Sequence, residues 1–419
     1  MSNPGDSDEL PQGVRLTAID EAFRQDPYPI LESLREQAPV LEDRELGRFV
    51  CTRHDDVKAL LHDKAFYTDP RKANPGTFSR EVIGRTLGAG ENPSMLLMDE
   101  PEHRRLRSLV SAPFKPHAIE RWRTHIRDIV EATLDRIEGD EFDLIGQFAG
   151  PVPTVVIAEM LGVDPDRHEQ FKQWSDLMVQ VGFNPFPTEE QSRVGEEAGL
   201  ALEKYLLELI AAGADEPGED LLGDMLRAEV EGEKLTPLEI VAQCRLLLVA
   251  GNVTTTDLIG NGVKALLEHP EQLRKLREKP ELIGNAVEEM LRYDSPVTNS
   301  GRIPNRDISI GGCPVAAGSS LSTSLAAANR DPAVYPNPDV FDIEREDTHH
   351  QSFGGGRHLC LGAHLARIEA QEAILGLLRR YPGLEQSDRG FVYHAIPSFR
   401  GMSEFWVRGG QAGRASPAQ

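Results

Sequence analysis

The sequence reads as mainly α with small β-sheets, an α+β chain, on three observations. A capped, strongly apolar helical pattern runs from Thr236 to about Glu268. Amphipathic helical patterns fill residues 141–230 and the stretch that follows Cys360. Strand patterns are confined to residues 40–52 and 297–325, the latter with a turn at Gly311-Gly312. At 419 residues the chain is long enough for a large core, and length alone suggests two or three domains.

Composition excludes several functions. The chain carries 68 Asp and Glu against 45 Lys and Arg, a net charge of −23, which argues against nucleic acid as a partner and serves solubility. Met1 to Glu9 is polar and acidic, unlike a signal peptide, and no uninterrupted apolar run reaches the ~18 residues of a membrane span. Cys51, Cys244, Cys313 and Cys360 stand far apart, which argues against a disulfide framework or a zinc site and for a reducing cytoplasm.

Taken in order, residues 1–14 read as a flexible lead-in. Tyr28 to Gln37 is a short helix. Val40-Leu41 and Arg48 to Thr52 form a hairpin, and His54 to Leu61 a second helix. Residues 68–95, rich in Gly, Pro, Asn and Ser, read as a long loop of the functional kind. His103 and Arg107 share a helix face one turn apart behind Pro101. Thr236-Pro237-Leu238-Glu239 is a capping box with proline at the first helical position. The helix it opens has roughly 32 residues, or about 48 Å. Leu246 to Ala250 is apolar all round and should be buried. Gly251 to Thr256 then interrupts the pattern with poor helix formers, and threonine hydroxyls bonding back one turn should bend the helix there. Glu289 and Arg292 lie three apart on a later helix and are able to pair.

The most specific stretch is Phe353-Gly354-Gly355-Gly356-Arg357-His358-Leu359-Cys360-Leu361-Gly362. Its glycines predict a tight loop. A helix follows and stops before Tyr381-Pro382-Gly383, which places Cys360 at a helix start where amides favour thiolate over thiol. A thiolate in a rigid turn is a soft metal ligand.

This stretch resembles the haem-ligand loop of the cytochrome P-450 superfamily. The resemblance spans about residues 28–408, with its signals in the family's order. It implies one domain over residues 15–408, with a long central helix over the haem, and a disordered tail at 409–419. It implies haem b as cofactor, with Cys360 as axial thiolate, a ligand that favours O–O cleavage. Phe353 shields the sulfur, Gly362 closes the loop, and His358 meets a propionate, as do His103, Arg107 and Arg302. The family's oxygen stretch is matched by Ala250, Gly251, Thr254 and Thr255. Gly251 leaves room for dioxygen and Thr254 helps protons reach it. Val253 stands where the family has an acid, so Asn252 or water is the expected substitute. Glu289, Arg292 and Arg345 form an internal network under the cysteine loop. Residues 68–95 and the helices after 141 roof the pocket, and Leu247, Ala250, Val297 and Ile396 fall where substrate is touched.

These matches imply a bacterial-type monooxygenase. It takes dioxygen, an apolar small substrate for hydroxylation, and electrons from a separate ferredoxin or flavodoxin. From Arg104 to Arg127 there are seven basic residues and one acid, Glu120. With Arg357, Arg367, Arg379 and Arg380 they suggest a basic proximal face for that donor. Val253 keeps a peroxide-driven oxidase open, and a haem-thiolate sensor without turnover is the third reading.

Overall fold

The computed structural model describes residues 10–85, 94–182, 186–230 and 232–409. Its axis is the helix Pro237–Glu268, 32 residues long. The capping box is formed as the sequence predicts. The Thr236 hydroxyl accepts from the Glu239 amide at 3.2 Å, and the Glu239 carboxylate accepts from the Thr236 amide at 2.8 Å. Two apolar cores meet along this helix. Its first half (Ile240, Leu247, Leu248) packs with Leu106, Ile126 and Leu202. Its second half (Leu258, Ile259, Leu266) packs with Phe148, Ile374 and Phe405. It is the one helix among the described residues long and apolar enough to cross a membrane by composition, and half of that window is buried in these cores.

The predicted interruption at Gly251 to Thr256 does not break the helix. Thr254 and Thr256 donate back to the carbonyls of Ala250 and Asn252, at 2.6 and 3.0 Å, inside an unbroken element. This stretch lies between the two cores, and Ala250, Gly251, Val253 and Thr254 keep partial exposure in the middle of the buried helix.

A five-stranded sheet flanks the helices, in the order Val40–Asp43, Arg48–Cys51, Leu321–Ser324, Asn299–Pro304, Phe66–Tyr67. The predicted hairpin is there, antiparallel with Val40 opposite Cys51. Its far end is fixed by the buried pair Arg48–Asp43 at 2.9 Å. The turn at Gly311-Gly312, both at positive φ, joins a second hairpin, Ile308–Ile310 with Cys313–Val315. Two strands went unpredicted at the C-terminal end. Glu385–Tyr393 and Met402–Arg408 pair with each other, and the latter also pairs with Glu141–Asp143. The three-residue strand at 141–143 is too short to show a period of two against the helices that follow it.

Between residues 68 and 95 the described part is not plain loop. It folds into the turns Pro70–Lys72 and Ile83–Arg85 with the short helix Phe78–Glu81 between them. The rest of that segment, residues 86–93, lies outside the described residues, as do 183–185, residues 1–9 and the tail from 410. Residues 10–14 of the expected lead-in are described, and the Gly13 amide donates to Asp43 at 2.9 Å.

Beneath the cysteine loop, Glu289 and Arg292 are fully buried and joined by two bonds of 2.7 and 2.9 Å. Arg345 completes the set from 3.1 Å. Arg292 also donates to the carbonyls of Asn329, Pro338 and Val340. A buried pair gains little over an apolar core, but removing one partner strands the other. Glu289→Ala is therefore expected to lower the free energy of unfolding by about 3–5 kcal/mol in a guanidinium titration. A loss below about 1 kcal/mol would remove the network from the list of structural supports.

Candidate functional site

The cysteine loop is built on backbone angles that only glycine adopts easily. Gly354 and Gly356 have φ of 66° and 65°, and a Cβ on Gly356 would run into the Leu61 carbonyl. The loop is strapped from behind. Ser352 donates to the Leu291 carbonyl at 2.7 Å and accepts from the Asn329 amide at 2.8 Å, while the Gln351 amide donates to Asn329 at 2.7 Å. The Cys360 amide closes the loop on the Phe353 carbonyl at 3.0 Å. Arg367 lies 4.4 Å from the Phe353 ring centroid and pairs with Glu288 at 2.6 Å. Burial pushes the Glu288 carboxyl up, but hydrogen bonds from Arg367 and His350 outweigh it and hold it at about 2.

The helix after the loop starts at Ala363, three residues past Cys360. Against the expectation from its helix-end position, burial dominates and pushes the Cys360 thiol up, with the Gly362 amide, Arg107 and Arg367 opposing. The residue nonetheless keeps exposed surface. Cys360 could hold a metal ion as a thiolate, and such an ion would supply the stabilisation that those three groups do not, since a coordinating thiol is deprotonated outright.

Beside the cysteine lies a cluster of two histidines and two arginines. The His103 and His358 rings are 4.1 Å apart, and Arg107 donates to the Leu359 carbonyl at 2.6 Å. Arg302, almost wholly buried in the five-stranded sheet, donates only to Ser300 and the Gly301 carbonyl. Among the described residues neither arginine has a carboxylate partner. Burial, then the neighbouring His103 and Arg302, depress His358 to about 2, and burial with Arg357 depresses Arg302 to about 10. Such a cluster fits a ligand bearing carboxylates.

The long helix presents the other wall. Added Cβ atoms on Gly251 and on Gly362 would meet nothing within 4 Å, so open space adjoins both elements. The cysteine helix crosses the long helix at Glu369 and Thr255, one residue past Thr254. Asn252 is not brought to this wall. It sits two residues from Thr254, about 200° around the helix. Its oxygen accepts from Thr154 at 2.9 Å and its amide donates to Ser175 at 2.9 Å, so both ends are spent on neighbouring helices. The carboxyl that the sequence reading missed is Glu369. It is buried and accepts from the Thr255 hydroxyl, and burial raises its pKa well above the usual carboxylate range. Its apolar helix neighbours gave no signal.

Of the expected substrate contacts, Leu247 and Ala250 share a helix face with Thr254. Val297 bridges to Phe399, whose amide donates to the Ile396 carbonyl at 3.1 Å, which brings those two predicted residues together. The basic proximal face is smaller than the sequence suggests. Arg105 pairs with Glu239, Arg123 and Arg127 with Glu372, Arg379 with Glu131 and Arg380 with Asp135. Arg104, Lys115 and Arg121 are exposed and have no ion pair among the described residues.

A soft sulfur, open space beside Gly251 and Gly362, and arginines lacking carboxylate partners among the described residues suit a flat, dianionic, metal-bearing group, which defines the class as haem-thiolate proteins. The chain belongs to the Cytochrome P450 family, whose profile matches residues 47–390. It is 40% identical over 411 residues to cytochrome P450 107B1 of Saccharopolyspora erythraea, covering 94% of this chain and 98% of that protein. It is 38% identical over 401 residues to the biotin biosynthesis cytochrome P450 of Bacillus subtilis, covering 94% and 99%. It is also similar to the solved structure of P450BioI in complex with hexadec-9Z-enoic acid ligated acyl carrier protein. That likeness has a TM-score of 0.84 at 37% identity and covers 92% of this chain and 98% of that one. Haem with thiolate-coordinated iron is the family's cofactor, and one mainly α domain with small β-sheets is its fold.

Glu288 gives the site a pH signature. Its carboxyl titrates at about 2 here against about 4.3 in an unfolded chain, a lowered value. Its contribution to stability is complete above about pH 4.3 and is lost as pH falls toward 2. Glu288→Gln is expected to lose stability less steeply across that window in an acid titration followed by circular dichroism. An unchanged slope would show that the Arg367–Glu288 pair does not support the loop.

Proposed function

We propose that this protein is a monooxygenase that inserts one atom of dioxygen into an apolar small organic substrate. Electrons come from a separate ferredoxin-type protein. The observation that carries this reading is the exposed Cys360 on its glycine loop with Arg107, His103, His358 and Arg302 grouped beside it and neither arginine meeting a carboxylate among the described residues. Those four residues would hold the propionates and Cys360 the iron. Bound haem supplies the oxygen chemistry. Gly251 leaves space beside it, and Thr254, its hydroxyl hydrogen donated to the Ala250 carbonyl, would present its oxygen there as an acceptor. Leu247, Ala250, Val297 and Ile396 exclude water and orient an apolar substrate. Val253 holds no proton, and this favours a second reading, oxidation driven by peroxide without a donor protein. A cytoplasmic setting agrees with four free cysteines.

The test is a Soret-band titration of the ferric protein against apolar molecules. Ligands that displace water from the iron should move the band to the blue. Cys360→Ser should abolish the thiolate signature of the reduced carbon monoxide complex, and retention of that signature would overturn the assignment of the iron ligand.

Electron delivery is proposed to run through the face that includes Arg104, Lys115 and Arg121. Arg121→Glu is expected to slow reduction by a ferredoxin several-fold at low salt, with the difference shrinking as salt rises. An unchanged rate at every ionic strength would take Arg121 out of the docking surface.

A further inference from the structure

The Arg367 guanidinium lies over the Phe353 ring, 4.4 Å from its centroid. The Phe353 carbonyl in turn accepts from the Cys360 amide at 3.0 Å, so ring and sulfur belong to one closed loop. Arg367 is fixed there by Glu288, on the helix Ile283–Tyr293, which accepts from its Nε and Nη2 at 2.6 and 2.8 Å in a bidentate fork. Its Nη1 donates to the Ala363 carbonyl at 3.3 Å, at the start of its own helix. His350 places Nε2 3.3 Å from the same carboxylate. The Ser352 amide donates to its Nδ1 at 3.2 Å, and burial lowers its pKa, so the ring is neutral and adds no charge. The two ions keep 24% and 27% of their side-chain surface exposed, so salt reaches them. An apolar side chain would pack on Phe353 as well as a guanidinium does, and an ion pair this deep gains little stability over one. The cation does act on the sulfur, since Arg367 is among the groups that oppose the rise of the Cys360 thiol.

We propose that Glu288 and Arg367 form a charge balance that sets the reduction potential of haem iron held by Cys360. This rests on the haem reading above and deepens it by giving the pair a part in electron uptake. One electron passes from the donor to ferric iron, which becomes ferrous, and the site becomes one unit more negative. Arg367 favours that change, and Glu288 cancels most of its pull. Glu288 is thus a positioning residue in two senses: it aims the cation at the ring and limits its field.

The test is a spectroelectrochemical titration of the haem-loaded protein, with dithionite as reductant and ferricyanide as oxidant, followed in the Soret band. Glu288→Gln leaves the cation uncancelled and should favour the ferrous form about tenfold, or about 59 mV for one electron. Arg367→Gln should disfavour it by a similar factor, and the double variant should return to within about threefold of the unaltered protein. Arg367→Lys keeps the charge and should stay within about twofold. These differences should shrink as salt rises. Opposite signs report charge, because loosened loop packing would move both single variants the same way. The reduced carbon monoxide spectrum shows that each variant is folded and loaded; if Arg367→Gln does not load, Glu288→Gln and Arg367→Lys carry the test. Shifts of the same sign, a Glu288→Gln shift below about twofold, or a double variant displaced as far as either single one overturns the proposal. If the unaltered protein gives no thiolate band with carbon monoxide, the haem reading fails instead and takes the charge balance with it.

Discussion

A 32-residue helix that passes through both apolar cores has few places for a polar group. Each one it carries must meet a partner or face a ligand, because a buried polar group without either is costly. Asn252 meets Thr154 and Ser175, Asn261 meets the Arg400 carbonyl, and Asp257 meets His394. Thr254 bonds its own helix and keeps partial exposure. It lies among Ala250, Gly251 and Val253, which are partly exposed like it. The site is thus the part of the helix where the packing constraint is relaxed, at the seam between two cores.

The opposite wall depends on a different constraint. The cysteine loop needs positive φ at two glycines and holds its shape through bonds to its own backbone and to Asn329. Around it, most charge is neutralised: Glu289 by two arginines, Glu288 by Arg367, Glu372 by Arg123 and Arg127. Against that background Arg107 and Arg302, which meet no carboxylate among the described residues, stand out. In a chain of net charge −23 with many carboxylates available, leaving two interior arginines unpaired is unfavourable unless an anion joins them.

The apo site also shows why helix-end electrostatics alone do not make a thiolate. One amide and two guanidinium groups act on Cys360, and desolvation still wins. The carboxyl of Glu369 obeys the same rule: burial raises its pKa, and the hydrogen bond from the Thr255 hydroxyl does not offset it. In both cases the low dielectric of the interior outweighs local dipoles.

The order of elements and the residues of the cysteine loop were legible in the sequence because they rest on local rules. A capping box, a proline at the first helical turn, glycines at forced angles and apolar periodicity act over a few residues. The long helix began at Pro237 and ended at Glu268 as its caps dictate. What the sequence did not reveal depends on direction around a helix or on pairing between distant segments. Asn252 and Thr254 are two residues apart and face opposite ways, so adjacency in the motif said nothing about which reaches the cleft. Half of the apparent basic face was already matched to acids that lie up to hundreds of residues away, such as Arg123 with Glu372. The strand Glu141–Asp143 exists because Met402–Arg408 lies beside it. Short-range stereochemistry therefore determined the elements and the motif, and only tertiary packing decided which polar groups were left free.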